Sequence, residues 1–383
     1  MSFGSLPPLS LYVHLPWCVR KCPYCDFNSY ELKGTVPDRD YVDALLRDLD
    51  AELALADDRP LRSIFIGGGT PSLFPGAAVR RLIRDIRARV RLTADAEISL
   101  EANPGAIEAD RFSEFRDAGV NRLSMGIQSF RDSKLSVLGR IHSAEEAVRA
   151  VGFARAAGFE NFNLDLMYAL PGDDAEGAMS DLEAAIELAP THLSWYQLTL
   201  EPNTAFHRRP PALPAEDAVL EIEEKGRELL AQHGFSRYEV SAYEQPGHRC
   251  AHNMNYWQFG DYLGIGAGAH GKMTRPDEDS IVRRAKQRNP RMYMEQAGSN
   301  TAVTVERIDS PQQIVLEFMM NALRLPEGIS VACYEGRTGQ PLGAIEESLQ
   351  EAIRRGWMSP EPGVLKPTES GLQVLNSVLA LFA

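Results

Sequence analysis

The chain has 383 residues, with 40 Lys and Arg against 53 Asp and Glu, a formal charge of −13 and 44% hydrophobic residues. This balance excludes a disordered chain, and the net acidity argues against nucleic-acid binding, which relies on basic residues neutralising phosphates. No apolar run reaches the roughly 18 residues of a membrane span, and the first basic residue is Arg20, so a secretory n-region is missing and a cytoplasmic protein is expected.

In chain order, short apolar runs begin near Leu11 (LYVHL), Ser63 (SIFIG), Ala96 (AEISLE), Arg122 (RLSMGI), Phe162 (FNLDLM) and Leu193 (LSWYQLTL). Helical spacing occupies about 38–55, 77–91, 108–118, 144–157, 176–188 and 215–233. In 77–91, Val79, Leu82, Ile83, Ile86 and Val90 form an apolar stripe, and Arg80, Arg84, Arg87 and Arg91 form a solvated face. Strand–helix alternation predicts parallel strands with helical crossovers, an α/β architecture. Six units predict an incomplete (β/α)6 barrel rather than the closed eight-unit form.

The Pro-rich stretch 207–214 (HRRPPALP) closes this first domain, 1–210. A smaller α+β region, 211–300, carries an aromatic and glycine-rich patch at 256–271 and then the basic residues Arg283, Arg284, Lys286, Arg288 and Arg291. These could dock an acidic electron donor, haem propionates or a membrane surface, or form a solvated loop. The last region, 301–383, reads as helices around a short hairpin (WMSPEPGVLKPT), a winged-helix-like module that the acidity marks as structural.

Three of the five cysteines, Cys18, Cys22 and Cys25, fall in C-x3-C-x2-C on the loop after the first strand. The odd number and the missing export signal disfavour a disulfide framework. A zinc site would need a fourth ligand, which His14 or Asp26 could provide. An iron–sulfur cluster held by three thiolates would leave one iron open to a small molecule.

This spacing, with Tyr24 just before the last cysteine, resembles the signature of the radical S-adenosylmethionine (SAM) superfamily. The surrounding text LYVHLPWCVRKCPYCDFNSY resembles its coproporphyrinogen-oxidase-like branch. The resemblance implies a radical-SAM barrel with a [4Fe–4S] cluster on Cys18, Cys22 and Cys25, whose open iron chelates SAM and delivers an electron to cleave it. It also implies SAM contacts from Gly68, Gly69 and Thr70 (GGTP), Glu101 (EANP), Gln128 (GIQSF), Arg140, Asp165 and Thr199, with Tyr12 and Tyr24 lining the site. Barrel sites gather at the C-terminal ends of strands, where most of these residues are expected.

Within the branch, the dehydrogenases carry a fourth cysteine at the position of Phe27. The run His252, Asn253, Tyr256 and Trp257 resembles the HNxxYW motif of HemW-type haem chaperones, with His252 as a candidate axial ligand of haem iron. The resemblance therefore implies a haem chaperone that delivers haem to acceptor haemoproteins. The alternative is oxygen-independent coproporphyrinogen III dehydrogenase, and whether the chain is an enzyme stays open; a zinc-stabilised binding protein is a third reading. A flavodoxin- or ferredoxin-type electron donor, transient membrane association and a homodimer are further expectations. The segment 266–273 (GAGAHGKM) nearly spells a phosphate loop but has Met273 where Ser or Thr is required. The stretch 264–270 is read instead as lining the site, and Cys250 and Cys333 as packing.

Overall fold

In a computed structural model, which describes residues 3–105 and 111–383, all six predicted runs form strands. They are β1 Leu9–Leu15, β2 Leu61–Gly68, β3 Leu92–Ala102, β4 Arg122–Gln128, β5 Phe162–Tyr168 and β6 His192–Gln197. They pair in parallel in sequence order. The crossover helices are α1 Asp38–Glu52, α2 Gly76–Arg87, α3 Phe112–Ala118, α4 Ala144–Ala156 and α5 Ala175–Glu187, followed by α6 Glu216–Gln232. The start of the helix expected at 108 lies outside the described residues. In α2, Val79, Leu82, Ile83 and Ile86 are buried as the stripe predicts. That helix stops at Arg87, because the N–H groups of Arg89 and Val90 both turn back to the Ile86 carbonyl.

The alternation within each strand decides what the barrel holds. In β1, Leu11, Val13 and Leu15 join the apolar core, while Tyr12 and His14 take the opposite face. Arg122 and Ser124 of β4, Asn163 and Asp165 of β5, and Ser194 and Tyr196 of β6 do the same. The outer face is thus a sealed core and the inner face is polar, which suits a ligand chamber rather than a packed barrel.

The sheet continues beyond these six strands on both edges. A hairpin, β7 Ser236–Glu239 and β8 Ala242–Glu244, adds antiparallel to β6. On the other edge β9 Asp261–Ile265 adds parallel to β1, followed by antiparallel β10 His270–Arg275, β11 Ser280–Lys286 and β12 Val303–Ile308. The last region packs helices Pro311–Ala322, Val331–Thr338 and Glu346–Arg354 around a second apolar cluster with Phe318, Tyr334 and Val378. Among the described residues no helix is long and apolar enough to cross a membrane.

Three of the five basic residues, Arg283, Arg284 and Lys286, are engaged inside the fold. Lys286 is buried between Asp48 and Glu52 of α1, and Arg284 bonds Glu52 at 2.9 Å. Arg283 bonds Glu317 and the Tyr262 hydroxyl. Most of the charge is spent tying β11 to α1 and to the last region, because an unpaired cation there would be uncompensated. Arg288 and Arg291 alone of the five are exposed.

Candidate functional site

The loop after β1 is built to hold a fixed shape. Trp17–Cys18 pairs in parallel with Tyr30–Glu31, and the Asn28 amide donates to the carbonyls of Ala267 and Arg288, both at 2.9 Å. His14 bridges the Tyr12 hydroxyl and the Asn28 carbonyl, each at 2.9 Å. The stretch 264–270 backs this loop instead of lining the site. Its Gly266 N–H reaches the Tyr293 hydroxyl, Ala267 N–H reaches the Tyr41 hydroxyl, and His270 is exposed.

Cys18, Cys22 and Cys25 line one cleft of about 740 Å3, and none is in a disulfide. The same cleft is walled by Tyr24, Gly68, Gly69, Thr70, Glu101, Gln128, Arg140 and Asp165. Gly68 has φ +117°, and a Cβ there would lie 2.6 Å from the His14 ring. Its N–H donates to Glu101 Oε2 at 2.9 Å. Arg140 donates to Asn103 Oδ1 at 2.6 Å and to the Gly126 carbonyl at 2.5 Å, with Cys22 Sγ 3.9 Å away. Asn103 also donates to Thr70 Oγ1 at 2.9 Å, so it links two expected site residues. Sequence reasoning missed it, although it stands two residues after Glu101 in the same EANP segment.

Gln128 ends β4 at φ +70°, beside a register shift against β5. Such a conformation is costly for a side-chain-bearing residue and recurs at ligand sites. Among the described residues its buried Oε1 has no hydrogen-bond partner. Burial, reinforced by Asp165, pushes the Glu101 carboxyl up to about 8. Asp165 is also raised by burial, although Asn163 at 2.8 Å and Ser124 at 3.1 Å donate to it. These two half-buried acids, whose ionised forms an incoming cation would stabilise, stand with the Gln128 oxygen on one wall of the cleft. That wall fits the ammonium and sulfonium of SAM, and three free thiols on one loop fit a cluster. Among the described residues no three His, Cys, Asp or Glu side chains are already gathered around one metal-sized point. The donor set, not a preformed cage, carries the fit. Thr199 is not brought in: it is exposed, two residues beyond β6, and lines neither cleft.

A second cleft of about 710 Å3 adjoins the first and shares Phe27, Glu101, Ser124 and Asp165 with it. It contains Tyr12 and His252, the latter on helix α7 Ala251–Trp257. His252 is 1% exposed, with Nδ1 2.9 Å from Ser63 Oγ and Nε2 3.0 Å from the Tyr256 hydroxyl. Burial, helped by the positive charge of Arg122, pulls its pKa down to about 3, so the ring is neutral. Trp257 lies under the Arg324 guanidinium at 4.4 Å and joins α7 to the last region. Cys250 is buried, and its thiol is pushed up to about 12.

Residues 12–185 match the family model for the radical SAM superfamily, and residues 309–374 match that for the HemN C-terminal domain. The chain is 52% identical to "Heme chaperone HemW" of Escherichia coli (strain K12) over 99% of both chains. It is 48% identical to the protein of that name from Haemophilus influenzae, over 99% of this chain and 98% of the relative. It is 34% identical to the mitochondrial "Radical S-adenosyl methionine domain-containing protein 1" of Mus musculus, over 97% of this chain and 86% of that one. The solved structure of coproporphyrinogen III oxidase (HemN) from Escherichia coli shares the fold, with TM-score 0.82 at 24% identity over 98% of this chain and 90% of its own. With cysteine loop, strand-end residues and full-length likeness in agreement, the chain belongs to the radical SAM superfamily and, within it, to the HemW family.

Proposed function

We propose that this protein is a haem chaperone: it binds haem and passes it to acceptor haemoproteins, with a [4Fe–4S] cluster on Cys18, Cys22 and Cys25 and SAM in the adjoining cleft. The observation that carries this reading is the 52% identity, end to end, to a protein named as a haem chaperone. Cluster and SAM would supply one-electron chemistry at the C-terminal ends of the strands. The chain's own part is to orient. Glu101, Asp165 and the Gln128 oxygen would accept hydrogen bonds from the ammonium and hydroxyl groups of SAM, Arg140 places a positive charge beside Cys22, and Gly68 and Gly69 let backbone approach closely.

His252 is the proposed iron ligand. Its neutrality is what coordination requires, and iron would take the place of the Tyr256 hydroxyl at Nε2. The dehydrogenase reading stands second, because Phe27, 57% exposed between the two clefts, occupies the position of that branch's fourth cysteine.

Titration with haem, followed by Soret absorbance and run beside a coproporphyrinogen turnover assay, tests both. We expect stoichiometric binding, weakened at least about tenfold in His252→Ala, which is about 1.4 kcal/mol. Tyr256→Phe, lacking the competing hydroxyl, should bind no worse than wild type. Turnover without stoichiometric haem binding would sink the chaperone reading. Undiminished binding by His252→Ala would leave His252 as an internal hydrogen-bonding residue.

A further inference from the structure

The second cleft is lined by a buried guanidinium whose charge is compensated only at a distance and whose hydrogen-bonding positions the fold leaves unused. Arg122, the first residue of β4, is 2% exposed and lines this cleft. Among the described residues its guanidinium makes no hydrogen bond, and its buried Nε has no partner. Within 4 Å it meets one carboxylate, Glu97, at 3.9 Å. Glu97 is already engaged: it accepts the N–H groups of Ala251 at 3.0 Å and His252 at 3.3 Å, the Ser99 hydroxyl at 3.2 Å and the Cys250 thiol at 3.5 Å. Other polar groups of the cleft are committed to one another. His192 pairs with Asn163 and with the Tyr238 hydroxyl, each at 2.7 Å. A desolvated guanidinium with vacant donor positions is a costly arrangement. A ligand that supplies the acceptors removes that cost.

We propose that Arg122 forms an anion subsite in this chamber and takes the carboxylate of an organic acid. The planar guanidinium fork matches a carboxylate in two parallel hydrogen bonds. The surroundings favour a monoanion over a dianion, because Glu97 stands beside Arg122 and the Asp165 carboxyl lines the same chamber. A phosphate dianion would meet like charge on several sides. The half-buried Asn253 is a further polar side chain of the chamber. Gln128, on the SAM cleft, stands six residues further along β4, about 20 Å at strand rise. The subsite therefore lies at the opposite end of the barrel from the cysteines. The carboxylate can come from a haem propionate, which rests on the chaperone reading, or from a free small organic acid, which does not.

The test uses full-length, cluster-reconstituted wild type, Arg122→Met and Arg122→Lys, each checked for an unchanged circular dichroism spectrum. Three probes are titrated: haem, haem dimethyl ester with its propionates masked, and sodium propionate with thermal stability as readout. If the source is a propionate of haem, Arg122→Met weakens haem about ten- to a hundredfold and leaves the ester unchanged, with Arg122→Lys intermediate. If the source is a free acid, sodium propionate raises the Tm of wild type but not of Arg122→Met, whether or not haem binds. The proposal is overturned if haem and ester weaken equally with no response to propionate, or if no probe distinguishes the variants. Should Arg122→Met not fold, Arg122→Lys against wild type reads the same contrasts. Absent haem binding in wild type would remove the chaperone reading and leave the propionate arm to decide the subsite.

Discussion

Gly69→Ala adds one methyl group where the GGTP loop crosses the cysteine loop. The new Cβ would lie 2.6 Å from the Trp17 carbonyl oxygen and 2.9 Å from the Pro16 carbonyl carbon. Ordinary contact begins near 3.4 Å, so the two segments must part by 3.4 − 2.6 = 0.8 Å. The obstacle is backbone and cannot swing aside as a side chain would. The same crossing is held by Gly69 N–H to the Leu15 carbonyl and Thr70 N–H to the Trp17 carbonyl, both at 2.8 Å. Overpacking costs about 1–3 kcal/mol, and losing one of those hydrogen bonds adds about 1 kcal/mol. The expected loss of stability is therefore about 2–4 kcal/mol. Because Thr70 and both glycines wall the cleft proposed to hold SAM, SAM affinity should fall by about tenfold or more. Urea unfolding and calorimetric SAM titration read the two effects. Gly152→Ala is the control: it is exposed within α4 with nothing within 4 Å, and should gain about 0.5–1 kcal/mol with SAM binding unchanged. Gly69→Ala with a wild-type urea midpoint and SAM affinity within twofold of wild type would refute the reasoning.

Lys286→Met removes the buried cation between Asp48 and Glu52 and should cost about 3–5 kcal/mol in urea unfolding; a loss below 1 kcal/mol would show that the network is solvated. For His252, the native pKa of about 3 lies below the unfolded value of about 6.5. Between those values the unfolded chain holds a proton that the native ring refuses, so this contribution is complete above about pH 6.5 and is lost as pH falls towards 3. Its slope reaches about 1.4 kcal/mol per pH unit. Glu101, raised to about 8, pulls the opposite way as it gains its proton. The wild-type minus His252→Asn stability difference isolates the imidazole: it should be flat above pH 7 and sloped from 6.5 downward, and a flat difference from pH 5 to 7 would contradict it.

Much of the barrel was legible as local pattern. Runs such as LYVHL and FNLDLM are short, apolar and bounded by helical spacing, and backbone periodicity translates such runs into strands and crossovers with little tertiary input. The cysteine triplet needed only covalent proximity, and Glu101, Gln128 and Asp165 were implied by the family resemblance, on parallel strands that bring them to one cleft. Other features depended on partners far along the chain. Lys286 looks like part of a surface patch until α1 brings Asp48 and Glu52 beside it, 238 and 234 residues away. His252 gains its neutral, doubly bonded state from burial and from Ser63, 189 residues earlier. Thr199 matched by position yet is exposed and lines neither cleft, since β6 ends two residues before it. Spacing along a chain follows from backbone geometry and survives in the sequence. Which charge meets which, and which is left lining a chamber without a hydrogen-bond partner among the described residues, as Arg122 is, follows from how the crossovers stack the strands, and only the folded chain decides that.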